Sequence, residues 1–258
     1  MTLPLIPDAF RWTAERWGPA LRCVPLEAAA PSLFTTRALG LSPDDFKTVA
    51  ASLGAQQIVT LTQVHGATVI VIRRGSPVPD GRPEADVLVS NDPDVAVVVR
   101  AADCVPLLIA DSNTGAVAAV HAGWRGTAAG AAIAAVDALA REFGSRPEYL
   151  IVAIGPSIGP CCYEVGSELV DAFAAAGHAR HLIARWFSTP PPPRGSRERP
   201  TLRLDVAGAN RDQLVLAGVA EENIYTAGLC TAMHLDVLTS YRAEKDKAGR
   251  LAGVIRAR

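Results

Sequence analysis

Three short segments of this 258-residue chain each carry a residue able to hold a soft or borderline cation: Gln63-Val64-His65-Gly66, Ala102-Asp103-Cys104-Val105-Pro106 and His121-Ala122-Gly123-Trp124-Arg125-Gly126. Each ligand stands at what reads as the end of a β-strand. Together His65, Cys104 and His121 would make a three-ligand zinc site with its fourth position open. An open position marks a catalytic zinc, which must hold a water or substrate atom, whereas structural zinc is closed by four protein ligands. A cation so placed lowers the pKa of bound water to about 7 or acts as a Lewis acid toward an attacking oxygen. Singly, each ligand is a weak signal, because buried cysteines are common core residues and histidines after strands are often only hydrogen-bonded.

Other readings of the same residues stand beside zinc. A blue-copper centre also uses two His and one Cys, so Cu2+ could occupy the site, but a copper-dependent polyphenol oxidase needs a histidine-rich cluster that five histidines cannot supply. A metal-free cysteine hydrolase would use Cys104 or Cys162 as nucleophile and His121 as base, the adjacent Cys161-Cys162 pair lying near a helix start. A non-enzymatic metal-binding or partner protein fits less well, because structural zinc takes four ligands. Asp103, beside Cys104, is a candidate acid or base or the residue that orients a histidine ligand, with a turn-forming role as the alternative. Gln63 would touch substrate or tie down its loop, and Arg242 in Ser240-Tyr241-Arg242 is a candidate phosphate ligand. Trp124 serves as an aromatic wall or, preferably, as packing at a helix entry. His178 and His181 sit in a polar stretch and read as surface residues, and His234 reads as core.

The elements that must position these groups alternate between β-rich runs and alanine-rich helices. Strands are expected at 58–61, 68–72, 87–90, 95–100, 107–110, 116–120, 148–154, 223–226 and 251–256, with Asn91–Asp94 and Asp111–Gly115 as turns. Helices are expected at 127–143, capped by Thr127 and closed by Gly144, at 164–176, closed by Gly177, and at 205–216, capped by Asp205. Cys104 would emerge where the Val95–Arg100 run breaks, before Pro106 ends ladder pairing, and His121 would leave its own strand 17 residues later. The fold class is α/β (α+β in some schemes): one domain over 1–258, layered α/β/α around a mixed sheet. The stretch 188–200, with four consecutive prolines, is expected to be an exposed polyproline-like loop.

A net charge of −1 and a pI near 6.5 argue against a nucleic-acid partner and for small molecules. The first eight residues lack the basic and apolar regions of a secretory signal, and no apolar run approaches the ~20 residues of a membrane span. A cytoplasmic location with reduced cysteines is therefore expected, and five is in any case an odd number.

The segments QVHG, ADCVP, HAGWRGT, IGPSIGPCCYEVG and SYR, in this order from about Pro31 to the C-terminus, resemble those of the YfiH/YlmD and FAMIN (laccase-domain-containing 1) family. That family, once called multicopper polyphenol oxidase, is regarded as a group of zinc-dependent purine nucleoside enzymes. The resemblance implies a YfiH-like fold, zinc on His65, Cys104 and His121, phosphorolysis of adenosine, inosine, guanosine and methylthioadenosine, and deamination of adenosine. It implies purine nucleosides and inorganic phosphate as partners, and it leaves protein partners unknown. Arg37, in Thr35-Thr36-Arg37, matches the family's arginine near the pocket and is a candidate phosphate ligand, with a surface ion pair as the alternative. After Arg37 the chain departs from the family: a Gly-Gly-Val-Ser turn and the segments after it are replaced by Ala38-Leu39-Gly40-Leu41-Ser42 running into Pro43-Asp44-Asp45. That shortening implies a more open pocket tolerant of 5′-modified nucleosides.

Overall fold

The computed structural model describes residues 2–190 and 200–258. Twelve of its fourteen described strands divide between two six-stranded mixed sheets where one was expected. The first sheet runs Phe10–Glu15, Gly18–Cys23, Ser32–Phe34, Leu251–Arg256, Val95–Ala101, Gln57–Thr60, and is antiparallel except for the last pair. The second runs Ile224–Thr226, Leu150–Ile154, Val105–Asp111, Val117–Ala122, Val87–Ser90, Val69–Ile72, with parallel pairs only at its two edges.

Side-chain alternation shows how these layers stack, because successive strand residues point to opposite faces. In Val95–Ala101, Val95, Val97 and Val99 join a buried cluster with Leu88, Leu108, Ala110, Val117 and Ala119 of the second sheet. Ala96 and Val98 point the other way, onto Val49, Ala50 and Leu53 at the Pro43–Ser52 helix. Val105, Leu107 and Ile109 of the second sheet pack on Ala131, Ala135, Leu139, Phe173 and Trp186 of the outer helices. The order is helix, sheet, sheet, helices, and both central strands are buried on two faces, which explains their unbroken Val/Ile/Leu runs.

Val87–Ser90 and Leu251–Arg256 lie where the sequence places them. The helix expected at 127–143 is two helices, Trp124–Ala128 and Ala131–Phe143, broken at Gly130, whose φ is +76°. Thr127 therefore caps nothing: it is buried, receives Asn210 Nδ2 at 2.8 Å, and gives its carbonyl to Gln213 Nε2 at 2.8 Å. Asp205 caps Val206–Leu216 through Gly208 N, as expected. The 164–176 helix shortens to Glu168–Ala175. The segment that departs from the family, Ser42–Asp45, is a capping box with Pro43 in the first turn, opening the Pro43–Ser52 helix. Of the 188–200 stretch, Ser188 pairs with Arg203 in a two-stranded ladder, and residues 191–199 lie outside the described residues. Among the described residues no helix is long and apolar enough to cross a membrane.

Pro106 does not end the ladder; it sits within Val105–Asp111 opposite His121, and its carbonyl accepts Gly155 N at 2.9 Å. The chain leaves the first sheet at Ala101 and enters the second at Val105, so Ala102-Asp103-Cys104 form the corner between sheets. Because the next two strands form an antiparallel hairpin, the beginning of one lies beside the end of the other. Cys104 and His121 meet for that reason, and the site forms at this corner.

Candidate metal centre

One donor atom each from His65, Cys104 and His121 lies within 4.8 Å of the others. The two imidazole rings are 4.9 Å apart between centroids and edge-to-face, at 75°. His121 is buried and His65 exposed, so the group opens to solvent on the His65 side. Gly123 keeps the corner tight: a Cβ there would stand 2.7 Å from Cys104 Sγ and 3.2 Å from the His65 ring. Only a residue without a side chain permits that approach.

The carboxylate that orients this site is Asp86, which the sequence reading passed over. Fully buried, it accepts His121 Nδ1 at 2.8 Å and the amides of Val64, His65 and Gly66 at 3.2, 3.0 and 2.6 Å. It thereby fixes the His121 ring with Nε2 turned toward Cys104, and pins the loop on which His65 adopts φ +63°. Burial pushes the Asp86 carboxyl up, but the His121 and amide hydrogen bonds outweigh it and hold it below the usual carboxylate range. Burial likewise pushes the Cys104 thiol up, while hydrogen bonds from His121 and His65 bring it down to about 6. His121, lowered by burial but raised by Asp86 and Cys104, reaches about 9. A thiolate, a second imidazole and a carboxylate-backed imidazole on one small volume fit a borderline cation such as zinc.

Asp103 lies in the corner with φ +88° and faces neither histidine. Its Oδ1 accepts Thr231 Oγ1 and its Oδ2 accepts the Arg242 amide, both at 2.6 Å, so it fastens the 230s and 240s segments to the site. Gln63 lines the same cavity, but both ends of its amide are tied to the Arg100 backbone, at 2.6 and 2.8 Å. Arg37 does not reach the cavity wall: it pairs with Glu244 at 3.0 Å and donates to the carbonyls of Leu235 and Leu238. Arg242 does line it, with its guanidinium over the Tyr163 ring at 5.2 Å. His178 is half-buried rather than on the surface, its Nε2 on the Ala128 carbonyl at 2.9 Å and its ring against Phe173 and Trp186.

The donors open into a cavity of about 1030 Å³. Six cations, Arg82, Arg100, Arg125, Arg242, Lys245 and Arg250, line it, against Asp103 as the single acid among the described lining residues. Arg100 is the second residue missed from sequence: its buried Nε has no hydrogen-bond partner among the described residues. Trp124 and Tyr163 supply aromatic surface, with Arg125 stacked over Trp124 at 4.3 Å. A cationic cavity with an aromatic wall beside a metal-ligand set suits an anion and a planar base held together.

The family model described as multi-copper polyphenol oxidoreductase laccase matches residues 44–258. A purine nucleoside phosphorylase of Deinococcus radiodurans is 36% identical over 248 residues, 88% of this chain and 89% of the relative. A protein named adenosine deaminase RL5, from an unknown prokaryotic organism, is 33% identical over 218 residues, 81% of this chain and 79% of its own. The crystal structure of the hypothetical protein YfiH of Bacillus licheniformis matches with a TM-score of 0.81 at 25% identity, over 98% of this chain and 100% of that one.

Proposed function

The chain belongs to this family, that of YfiH, YlmD and LACC1, and from that premise we propose that it is a zinc-dependent purine nucleoside phosphorylase that also deaminates adenosine. Its substrates under this reading are adenosine, inosine, guanosine and methylthioadenosine, with inorganic phosphate as co-substrate. The observation that carries the reading is the meeting of His65, Cys104 and His121 at the floor of a cavity lined by six cations.

In phosphorolysis a phosphate oxygen attacks C1′ of the ribose, the bond from C1′ to the purine nitrogen breaks, and the departing base takes up a proton. Arg100 and Arg242 bind the phosphate; a planar guanidinium matches two phosphate oxygens at once. Trp124 and Tyr163 hold the purine face. His65, Cys104 and His121 hold the zinc, which when bound supplies Lewis acidity toward an attacking oxygen. Asp86 keeps His121 in the tautomer that presents Nε2, and Asp103 positions Arg242 through its amide. The exposed Gly40 and half-buried Leu41 form one rim of the cavity, which supports room for a 5′-substituent.

Chromatography of adenosine incubated with metal-quantified protein tests this. Adenine and ribose 1-phosphate appearing only with phosphate, and inosine appearing without it, are the expected products. Comparable turnover of methylthioadenosine supports the open rim, and its strict rejection sinks that part.

A second reading has one observation in its favour: Asp86, His121 and Cys104 are also the acid, base and nucleophile of a metal-free cysteine hydrolase. His65 serves either chemistry, because it also donates to Cys104, so the metal is what separates them. Loss of turnover on adding 1,10-phenanthroline excludes the metal-free hydrolase. The copper-oxidase reading lacks ligands, since His178, His181 and His234 lie outside the one group that contains histidine among the described residues.

A further inference from the structure

Outside the cavity, three of the remaining four cysteines converge. We propose that Cys161, Cys162 and Cys230 form a second metal site, a three-thiolate site for a soft monovalent cation, Cu(I). Their sulfurs all lie within 4.8 Å of one another, with Cys161 Sγ and Cys162 Sγ 3.5 Å apart. Three sulfurs at about 2.3 Å from a cation in a trigonal plane are about 4.0 Å from each other, so sub-ångström shifts close the site.

The backbone is shaped for this. Ser157 and Cys230 form a parallel bridge, which brings the 230 segment against the loop that follows Ile154. Cys162 N and Tyr163 N both donate to the Gly159 carbonyl at 3.0 Å, folding the loop so that its two thiols turn back toward Cys230. Gly159 N donates to Cys230 Sγ at 3.3 Å. A Cβ on Gly159 would touch both Cys161 Sγ and Cys230, at 3.4 Å each, so the glycine leaves the space the sulfurs share. Arg203 donates to the carbonyls of Pro160 and Cys161, placing a positive charge beside the cluster.

The donor set selects the cation. Thiolates are soft and favour Cu(I), zinc and iron–sulfur chemistry, and zinc in a structural site wants four donors. Among the described residues this group has three and no histidine or carboxylate, which suits three-coordinate Cu(I). On binding, each thiol gives up its proton to solvent and no electron is transferred. None of the three cysteines lines the cavity, whereas Ile158 and Tyr163, which bracket the loop, do.

The test is anaerobic titration of the reduced full-length Cys104→Ser variant with Cu(I) against a chromogenic Cu(I) chelator, with X-ray absorption on the loaded protein. One Cu(I) per chain with a sulfur-only shell is expected. Cys161→Ser, exposed and so tolerated by the fold, is expected to weaken binding at least tenfold, and Cys161→Ser/Cys162→Ser to abolish it. Should Cys104→Ser misfold, the same count on zinc-loaded wild type, with zinc release followed, decides the question. No Cu(I) bound in Cys104→Ser, or an unchanged count when Cys161 and Cys162 are both replaced, overturns the proposal.

Discussion

Among the described residues two groups of donors each fall within 4.8 Å, yet they are built in opposite ways. His65, Cys104 and His121 come from two strand ends and a pinned loop, with a fully buried carboxylate receiving four hydrogen bonds behind them. Cys161, Cys162 and Cys230 come from loops, with the Gly159 amide and the Arg203 guanidinium beside them and, among the described residues, no carboxylate in the group. The first is preorganised by the sheets, because moving any ligand breaks a ladder or the Asp86 network. The second is held by the Ser157–Cys230 bridge, the turn at Gly159 and the Arg203 contacts to the loop carbonyls, with no shared anchor like Asp86 behind its donors among the described residues. Catalysis belongs on the first, since a reacting atom must be placed to a fraction of an ångström.

Asp86→Ala breaks this contrast most severely. It strands the amides of Val64 to Gly66 and frees the His121 ring; a loss of about 3–5 kcal/mol in stability is expected from removing one partner of a buried charged network. Metal affinity should fall about 10–100-fold, as for other groups that orient a ligand. Chelator competition and denaturant titration read the two effects.

Gly123→Ala and Gly159→Ala sharpen the contrast as a matched pair. At Gly123 the new methyl would be 2.7 Å from Cys104 Sγ; about 1–3 kcal/mol of overpacking is expected, with zinc affinity reduced more than tenfold. At Gly159 the nearest contacts are 3.4 Å, and stability should change by less than about 0.5 kcal/mol. Equal effects of the two substitutions on thermal unfolding would contradict the difference in preorganisation.

Arg100→Met tests the cavity rather than the ligands. Loss of a guanidinium whose Nε has no partner among the described residues should raise the KM for phosphate about tenfold, equivalent to ~1.4 kcal/mol, and leave adenosine deamination within about twofold. Arg37→Ala is the smallest: its pair with Glu244 is partly exposed, so about 0.5–1 kcal/mol of stability and no more than a twofold change in turnover are expected.

Much of this architecture can be read from residue types, and the remainder fails for identifiable reasons. The unbroken Val/Ile/Leu strands and the Asp205 cap announce themselves locally. Phe10–Glu15 and Gly18–Cys23 do not, because Arg11, Glu15 and Arg22 interrupt their apolar pattern, and Arg11 and Arg22 meet Glu27, and Arg22 meets Glu15, only in the fold. Periodicity says that Val97 and Val98 are both buried, but not that one faces a second sheet and the other a helix. At the site, the three donors are visible because few residue types can hold zinc. Asp86, in Glu84-Ala85-Asp86, looks like any acid before a strand, since its partners at 64–66 and 121 are remote in sequence. Gln63 and Asp103 are visible as polar residues beside the donors, and Arg37 only through the family resemblance, whereas what occupies their hydrogen bonds is visible only in three dimensions.

The most direct test of the account is turnover of adenosine in phosphate by one preparation in three states: as purified, stripped of metal, and reloaded with one equivalent of zinc. Activity is expected to disappear on stripping and return with zinc, and never to return in His121→Ala. Full activity in the stripped protein would contradict it, and would assign Cys104 and His121 to thiol catalysis instead.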